Sequence, residues 1–215
     1  MYDNRSNLII GFHGCDRVAA AALINNPDTI KFSKEPHDWL GHGMYFWENN
    51  QERARQWAVE RQVRKKKDVA EAAVIGAVIQ LGYCCDLLDS RFTGLLKNCY
   101  PLMEESYNKR GKQLPVNKDL SIDPHKNKLL RILDCTVIEF MHSHIEEQHN
   151  RDKREKGFSE LKIFDSARGV FTEGGPIYEG AEIFEKTHIQ ICIRNTNCIK
   201  GFFLPRREIE FLPAA

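Results

Sequence analysis

The chain has no charge excess of either sign. Its 31 Lys and Arg face 30 Asp and Glu, so no global field marks it for nucleic acid or for an anionic membrane, and any partner has to be argued from a site. It has no CxxC pair and no Cys/His spacing of the kind that holds a metal. The seven cysteines, at 15, 84, 85, 99, 135, 192 and 198, are odd in number and read as reduced thiols of a cytoplasm rather than a disulfide framework. No stretch approaches the ~20 apolar residues needed to span a bilayer. The opening MYDNRSNLII has neither the basic segment nor the apolar run of a signal peptide. A GxGxxG or Walker-type loop is missing too, so a nucleotide, if bound, is held otherwise than at a glycine-rich helix start. Internal repeats and low-complexity linkers are also lacking.

What is present is ordinary globular composition: 42% hydrophobic and 28% charged residues in 215 positions, enough for one sizeable core and read here as a single domain over 1–215. Leu8 to His13 reads as a buried strand. Asp16 then caps a helix through Val18 to Ile24, stopped at Asn25-Asn26-Pro27. Met44 to Trp47 reads as a second strand, and Asn49 or Asn50 caps a helix carrying Ala54, Trp57 and Ala58 on one face. Val74 to Leu81 is a further core strand. In the middle, Lys97 to Leu120 is interrupted by Pro101, Gly111 and Pro115, while Leu130, Leu133, Val137, Phe140 and Met141 recur at helical spacing. Strand signals return at Arg168 to Thr172, Thr187 to Ile193 and Ile199 to Leu204, with a last apolar segment at Ile209 to Leu212. Strands at both ends and helices inserted at about 88–156 predict an α+β fold.

Three strand-borne features remain once the apolar positions are explained. In Gly11-Phe12-His13-Gly14 a histidine ends a strand between glycines that permit close approach. In Leu40-Gly41-His42-Gly43-Met44-Tyr45-Phe46-Trp47-Glu48, Tyr45 and Trp47 share one face of an aromatic strand and Met44, Phe46 and Glu48 the other, so one aromatic set is free to line a cleft. In Thr187-His188-Ile189-Gln190-Ile191-Cys192-Ile193 the isoleucines form the core face, and Gln190 needs a polar partner on the opposite one. The bland alternatives are a strand-end cap, core aromatics and a glutamine bonded to a covering loop.

In this order the three features resemble the ADP-ribosyltransferase superfamily, in the branch of diphtheria-toxin-like enzymes and poly(ADP-ribose) polymerases. The match covers about residues 8–60 and 168–204, and the helix with Ala54, Trp57 and Ala58 belongs to it. The resemblance implies a split β-sandwich of two antiparallel sheets with NAD, used as co-substrate without a metal, in the cleft between them. It implies that His13 bonds the adenine-side ribose and that the Gly14 backbone holds the nicotinamide amide. It also implies that Tyr45, following Gly43, stacks on nicotinamide, and that Gln190 bonds the 2′-hydroxyl of the nicotinamide ribose.

Gln190 stands where the family usually has Glu. A carboxylate ~4 Å from an oxocarbenium charge contributes roughly 4 kcal/mol at an effective dielectric near 20, on the order of a thousandfold in rate. A neutral amide orients but supplies no charge. Glu173, in the loop before the Gln190 strand, is the first candidate for the missing carboxylate, as acceptor-side general base; Glu48 is the second. Arg168 suits the pyrophosphate through its planar fork, while Asp38, His42 and His188 are further polar residues near the motifs. The basic segments Arg61 to Lys67 and Arg151 to Lys156 offer patches to nucleic acid or simply solvated helix faces. The reading is therefore transfer of ADP-ribose from NAD to a macromolecule, nucleic acid or protein, by a bacterial toxin or defence effector, for which an antitoxin partner is open. The alternatives are an NAD glycohydrolase and a degenerate module that binds NAD or ADP-ribose without catalysis.

Overall fold

The computed structural model describes residues 8–64 and 69–206. Lys65 to Lys67 of the basic segment and the apolar segment at 209–212 lie outside them.

Strand β1 (Ile9–Asp16) runs directly into helix α1 (Arg17–Asn25), because the Asp16 carboxylate accepts from Val18 N at 2.8 Å and caps the first turn. Strand β2 (Met44–Glu48) is followed by helix α2 (Gln51–Arg64). Of the two asparagines between them, Asn50 is the cap, its side-chain oxygen accepting from Arg53 N, while Asn49 takes the left-handed turn at φ 50°. Strand β3 (Ala72–Ile79) follows, then β4 (Cys84–Asp86), helices α3 (Ser90–Lys109) and α4 (Ile132–Lys156), and strands β5 (Ser166–Phe171), β6 (His188–Ile193) and β7 (Ile199–Phe203).

The α+β class is found, but the two-sheet sandwich is not: the strands form one seven-stranded sheet in the order β4-β5-β6-β2-β1-β3-β7. It is mixed, because β4 lies parallel to β5 while the other pairs are antiparallel. The reason is local. β2 and β1 are registered through Gly11↔Glu48 and Phe12↔Trp47, which is enough to join the two halves. That seam is nevertheless short beside the eight registered pairs of β1 with β3. The expected split is therefore absent: the sheet is continuous, and β1–β2 is only its shortest join.

Strand alternation assigns the two faces. One carries Met44, Phe46, Ile75, Ile79, Ile191 and Ile193 and is covered by Ala20 and Leu23 of α1. The other carries Ala167, Phe171 and Cys192 under Trp39, Leu40, Ile138 and Met141, with α2 lying across β1 and β3. The glycine of β1 makes that crossing close, since a Cβ on Gly14 would stand 2.2 Å from the Ala54 carbonyl oxygen of α2.

The inserted region is more helical than its prolines and glycines suggest. Helix α3 continues through Pro101, and packing against α4 supports it where the missing N–H does not. Helix α4 includes the charged stretch to Lys156 and ends at Gly157, whose φ of 80° provides the left-handed cap. Strand β4, three residues long, has too few positions to show any periodicity in the sequence.

Candidate active site

His13 and Tyr45 meet at the seam. Beyond the Phe12↔Trp47 pair β1 has no further registered partner on β2, and the imidazole of His13 fills the place of the next ladder bond: its Nδ1 lies 2.7 Å from the Tyr45 carbonyl oxygen. A carbonyl only accepts, so Nδ1 carries the proton, and in the neutral ring Nε2 is left with a bare lone pair. The ring stays neutral because burial lowers its pKa and the cation of Arg61 lowers it further, against the opposing pull of the carbonyl bond. No hydrogen bond joins His13 Nε2 to a described residue. By register His13 starts from the face that carries Phe46, whose ring centroid is 5.8 Å away.

Tyr45 lies on the other face, opposite Cys192. Its hydroxyl donates to the Gly41 carbonyl at 2.8 Å and accepts from Leu40 N at 2.9 Å, and burial raises its pKa well above the usual phenol value, helped by the neighbouring Cys192. The hydroxyl therefore holds the Gly41–Gly43 turn that introduces β2. Gly43 itself is required by packing, because a Cβ there would stand 2.4 Å from the Ile193 carbonyl oxygen.

Gln190 is paired in register with Trp47 on one side and Gly169 on the other. The polar partner it needs is Trp39, whose Nε1 donates to Gln190 Oε1 at 2.6 Å. Trp39 closes over Gly169, where a Cβ would stand 2.7 Å from the indole.

Both carboxylate candidates are engaged. Glu173, only 9% exposed, receives a 2.7 Å bond from Arg53 and lies 3.8 Å from the Lys186 ammonium. Glu48 receives Arg168 through two bonds, of 2.6 and 3.0 Å. Arg168, expected at a pyrophosphate, is 7% exposed and gives its remaining nitrogen to Asp86 at 3.2 Å. Its fork is thus committed to two acids, the buried Asp86 and the half-buried Glu48, and ties β2, β4 and β5 together. Asp38 caps its own turn at Glu35 N, and His42 faces Glu139. Among the described basic residues, Arg61 stacks on Trp57 and Arg64 reaches Glu60.

The residues that sequence reasoning undervalued lie beside this set. Among the described residues five buried side-chain atoms have no hydrogen-bond partner: Trp47 Nε1, Arg53 Nε and Nη1, His142 Nε2 and His188 Nε2. Four of the five belong to one place, where the end of β2, the first turn of α2 and the start of β6 converge. The rings of Trp47 and His188 are 6.1 Å apart, His188 stacks on Phe171 at 5.6 Å, and Arg131 lies 3.9 Å over Phe171. The loop between β5 and β6 closes the same place through the Glu173–Arg53 bond. Native proteins leave few buried polar atoms unpaired, so such a concentration marks this place as a candidate site. The signal available beforehand was weak: His188 shares the Gln190 face by alternation, but nothing in the sequence brings Arg53 to it.

Two surface depressions of about 500 and 550 Å³ lie elsewhere, the first beside α1 and the second lined by His42, Glu139 and Arg194 among others. No group of three or more His, Cys, Asp or Glu that could hold a metal is found among the described residues. No described helix is long and apolar enough to cross a membrane. No protein-family model, curated protein or solved structure matches the chain.

Proposed function

We propose that this protein binds NAD at the β1–β2 seam and transfers its ADP-ribose to a macromolecular acceptor. The observation that carries the reading is the His13–Tyr45 link. It presents a neutral imidazole with its Nε2 lone pair free at the point where the sheet halves part, the arrangement that receives a sugar hydroxyl. In the reaction the bond from the ribose carbon to the nicotinamide nitrogen breaks, its electron pair leaves with nicotinamide, and an acceptor nucleophile closes on the carbon while losing a proton.

A second reading, binding of NAD or ADP-ribose without transfer, is favoured by one feature: Glu173 and Glu48 both face arginine rather than an open cleft. The two readings separate in one experiment. Incubation with labelled NAD and whole-cell lysate, followed by nuclease or protease, is expected to leave label on one acceptor class, removed by the matching enzyme. Bound NAD with no nicotinamide released decides for the binding module, and nicotinamide release without labelled macromolecule decides for glycohydrolysis. Glu173→Gln retaining full transfer while Gln190→Ala abolishes it would remove Glu173 as general base.

A further inference from the structure

The unpaired atoms beside the seam have a definite hydrogen-bonding sense. His188 is 5% exposed and its Nδ1 lies 2.5 Å from the Lys186 carbonyl oxygen, so Nδ1 donates and Nε2 is an acceptor with nothing to accept. Burial lowers its pKa to about 4, which keeps the ring neutral and that lone pair available. Trp47, 3% exposed, has the complementary want, an indole N–H with nothing to donate to. The two rings are close, at 6.1 Å between centroids and a 47° tilt, yet their nitrogens do not bond each other. Arg53, 5% exposed, adds donors without a hydrogen bond at Nε and at Nη1, the latter 3.9 Å from the Glu60 carboxylate, while its Nη2 is held by Glu173. Burial makes it costly to leave such groups unmet, and a single hydroxyl meets two of them because it donates and accepts at once. Gln190, by contrast, already has its Oε1 engaged by Trp39, and none of its side-chain atoms is among the buried unpaired ones.

We propose that His188 Nε2 and Trp47 Nε1, rather than Gln190, receive a sugar hydroxyl of the bound nucleotide. This rests on the NAD reading above. His188 is here a binding residue: it accepts the hydroxyl proton, Trp47 donates to the same oxygen, and Phe171 fixes the imidazole plane from the far side. Arg53 then faces the neighbouring oxygen of the ligand while remaining tied to the loop through Glu173, so occupation of the site and the position of the β5–β6 loop are coupled.

The test is a cycle between protein and ligand, read by calorimetry and by the quenching of tryptophan fluorescence, with NAD and the four analogues that each lack one ribose hydroxyl. In the wild type one analogue is expected to bind about tenfold more weakly than NAD. In His188→Phe, which keeps the ring stack and removes the acceptor, NAD is expected to weaken about tenfold and that analogue to bind no worse than NAD. Trp47→Phe should show part of the same loss, and Gln190→Ala should keep the discrimination. A far-UV spectrum and melting curve unchanged in His188→Phe exclude simple misfolding, and His188→Gln, which restores an acceptor oxygen, should recover part of the discrimination. Discrimination that persists in both His188→Phe and Trp47→Phe, or that disappears in Gln190→Ala, overturns the assignment while leaving NAD binding intact. Folded wild type that binds no NAD overturns the NAD reading and this assignment together.

Discussion

At the scale of single residues, the sequence reading puts Tyr45 and His13 at a cleft, and in the structure the Tyr45 hydroxyl has a task in the fold itself. The Tyr45 hydroxyl satisfies one backbone N–H and one carbonyl of the turn before β2. Its removal strands both groups in a buried setting, which costs about 1–3 kcal/mol. Tyr45→Phe is therefore expected to shift the urea midpoint down with an unchanged slope, while the ring that would stack on a ligand stays in place. A role confined to ligand stacking predicts no such shift. That His13 and Tyr45 stand out in the sequence follows from their setting, since a polar or aromatic residue on a strand close to glycine is a local feature. Alternation puts Gln190 and His188 on one face but names no partner for either: the Trp39 indole that meets Gln190 arrives from 151 residues away.

At the scale of elements, the contact between α2 and β1 depends on Gly14. A methyl group there would stand 2.2 Å from backbone and 3.3 Å from the Ala58 side chain, so the helix has to retreat. Gly14→Ala should cost at least about 1–3 kcal/mol, seen as a melting temperature lower by several degrees, together with loss of NAD binding as α2 moves Arg53. Retained stability would show that α2 yields cheaply. The bridge among β2, β4 and β5 is the set Arg168, Glu48 and Asp86. Arg168→Met removes the guanidinium that balances Glu48 and Asp86 and should destabilise by about 3–5 kcal/mol; an effect on NAD affinity with stability intact would return Arg168 to the ligand. The starts of α1 and α2 were legible because their signals are local: Asp16 before α1 and Asn50 before α2. Helix α3 was not, because Pro101 reads as a break and only packing against α4 overrides it.

At the scale of the whole molecule, burial of neutral histidines sets the response to acid. His142 is lowered to about 3 by burial and the nearby Arg194 cation, and His188 to about 4 mainly by burial. In both cases the unfolded chain binds the proton near pH 6.5 while the folded chain refuses it. Stability is thus complete above about pH 6.5 and falls as the pH drops, by up to ~1.4 kcal/mol per pH unit for each residue, until the folded values near 4 and 3 are passed. Chemical denaturation between pH 7 and 4 should show this slope, and His142→Phe, which keeps a buried ring, should flatten it; an unchanged slope would mean that other groups dominate the acid response.

The sequence by itself determined which segments are apolar on which face, where α1 and α2 start, and that a histidine and a tyrosine stand on strands next to or just after glycines, because these follow from residue type and spacing over a few positions. The strand does not end at His13 as expected but continues to Asp16, because pairing with β3 carries it on. Only the tertiary structure decided that the strands close into one sheet through two registered pairs and that Arg168 and Glu48 neutralise each other. It also decided that the unpaired donors and acceptors of Trp47, Arg53 and His188 gather beside the seam. Those outcomes depend on which distant side chains meet, and no local pattern encodes the partner of a buried polar group.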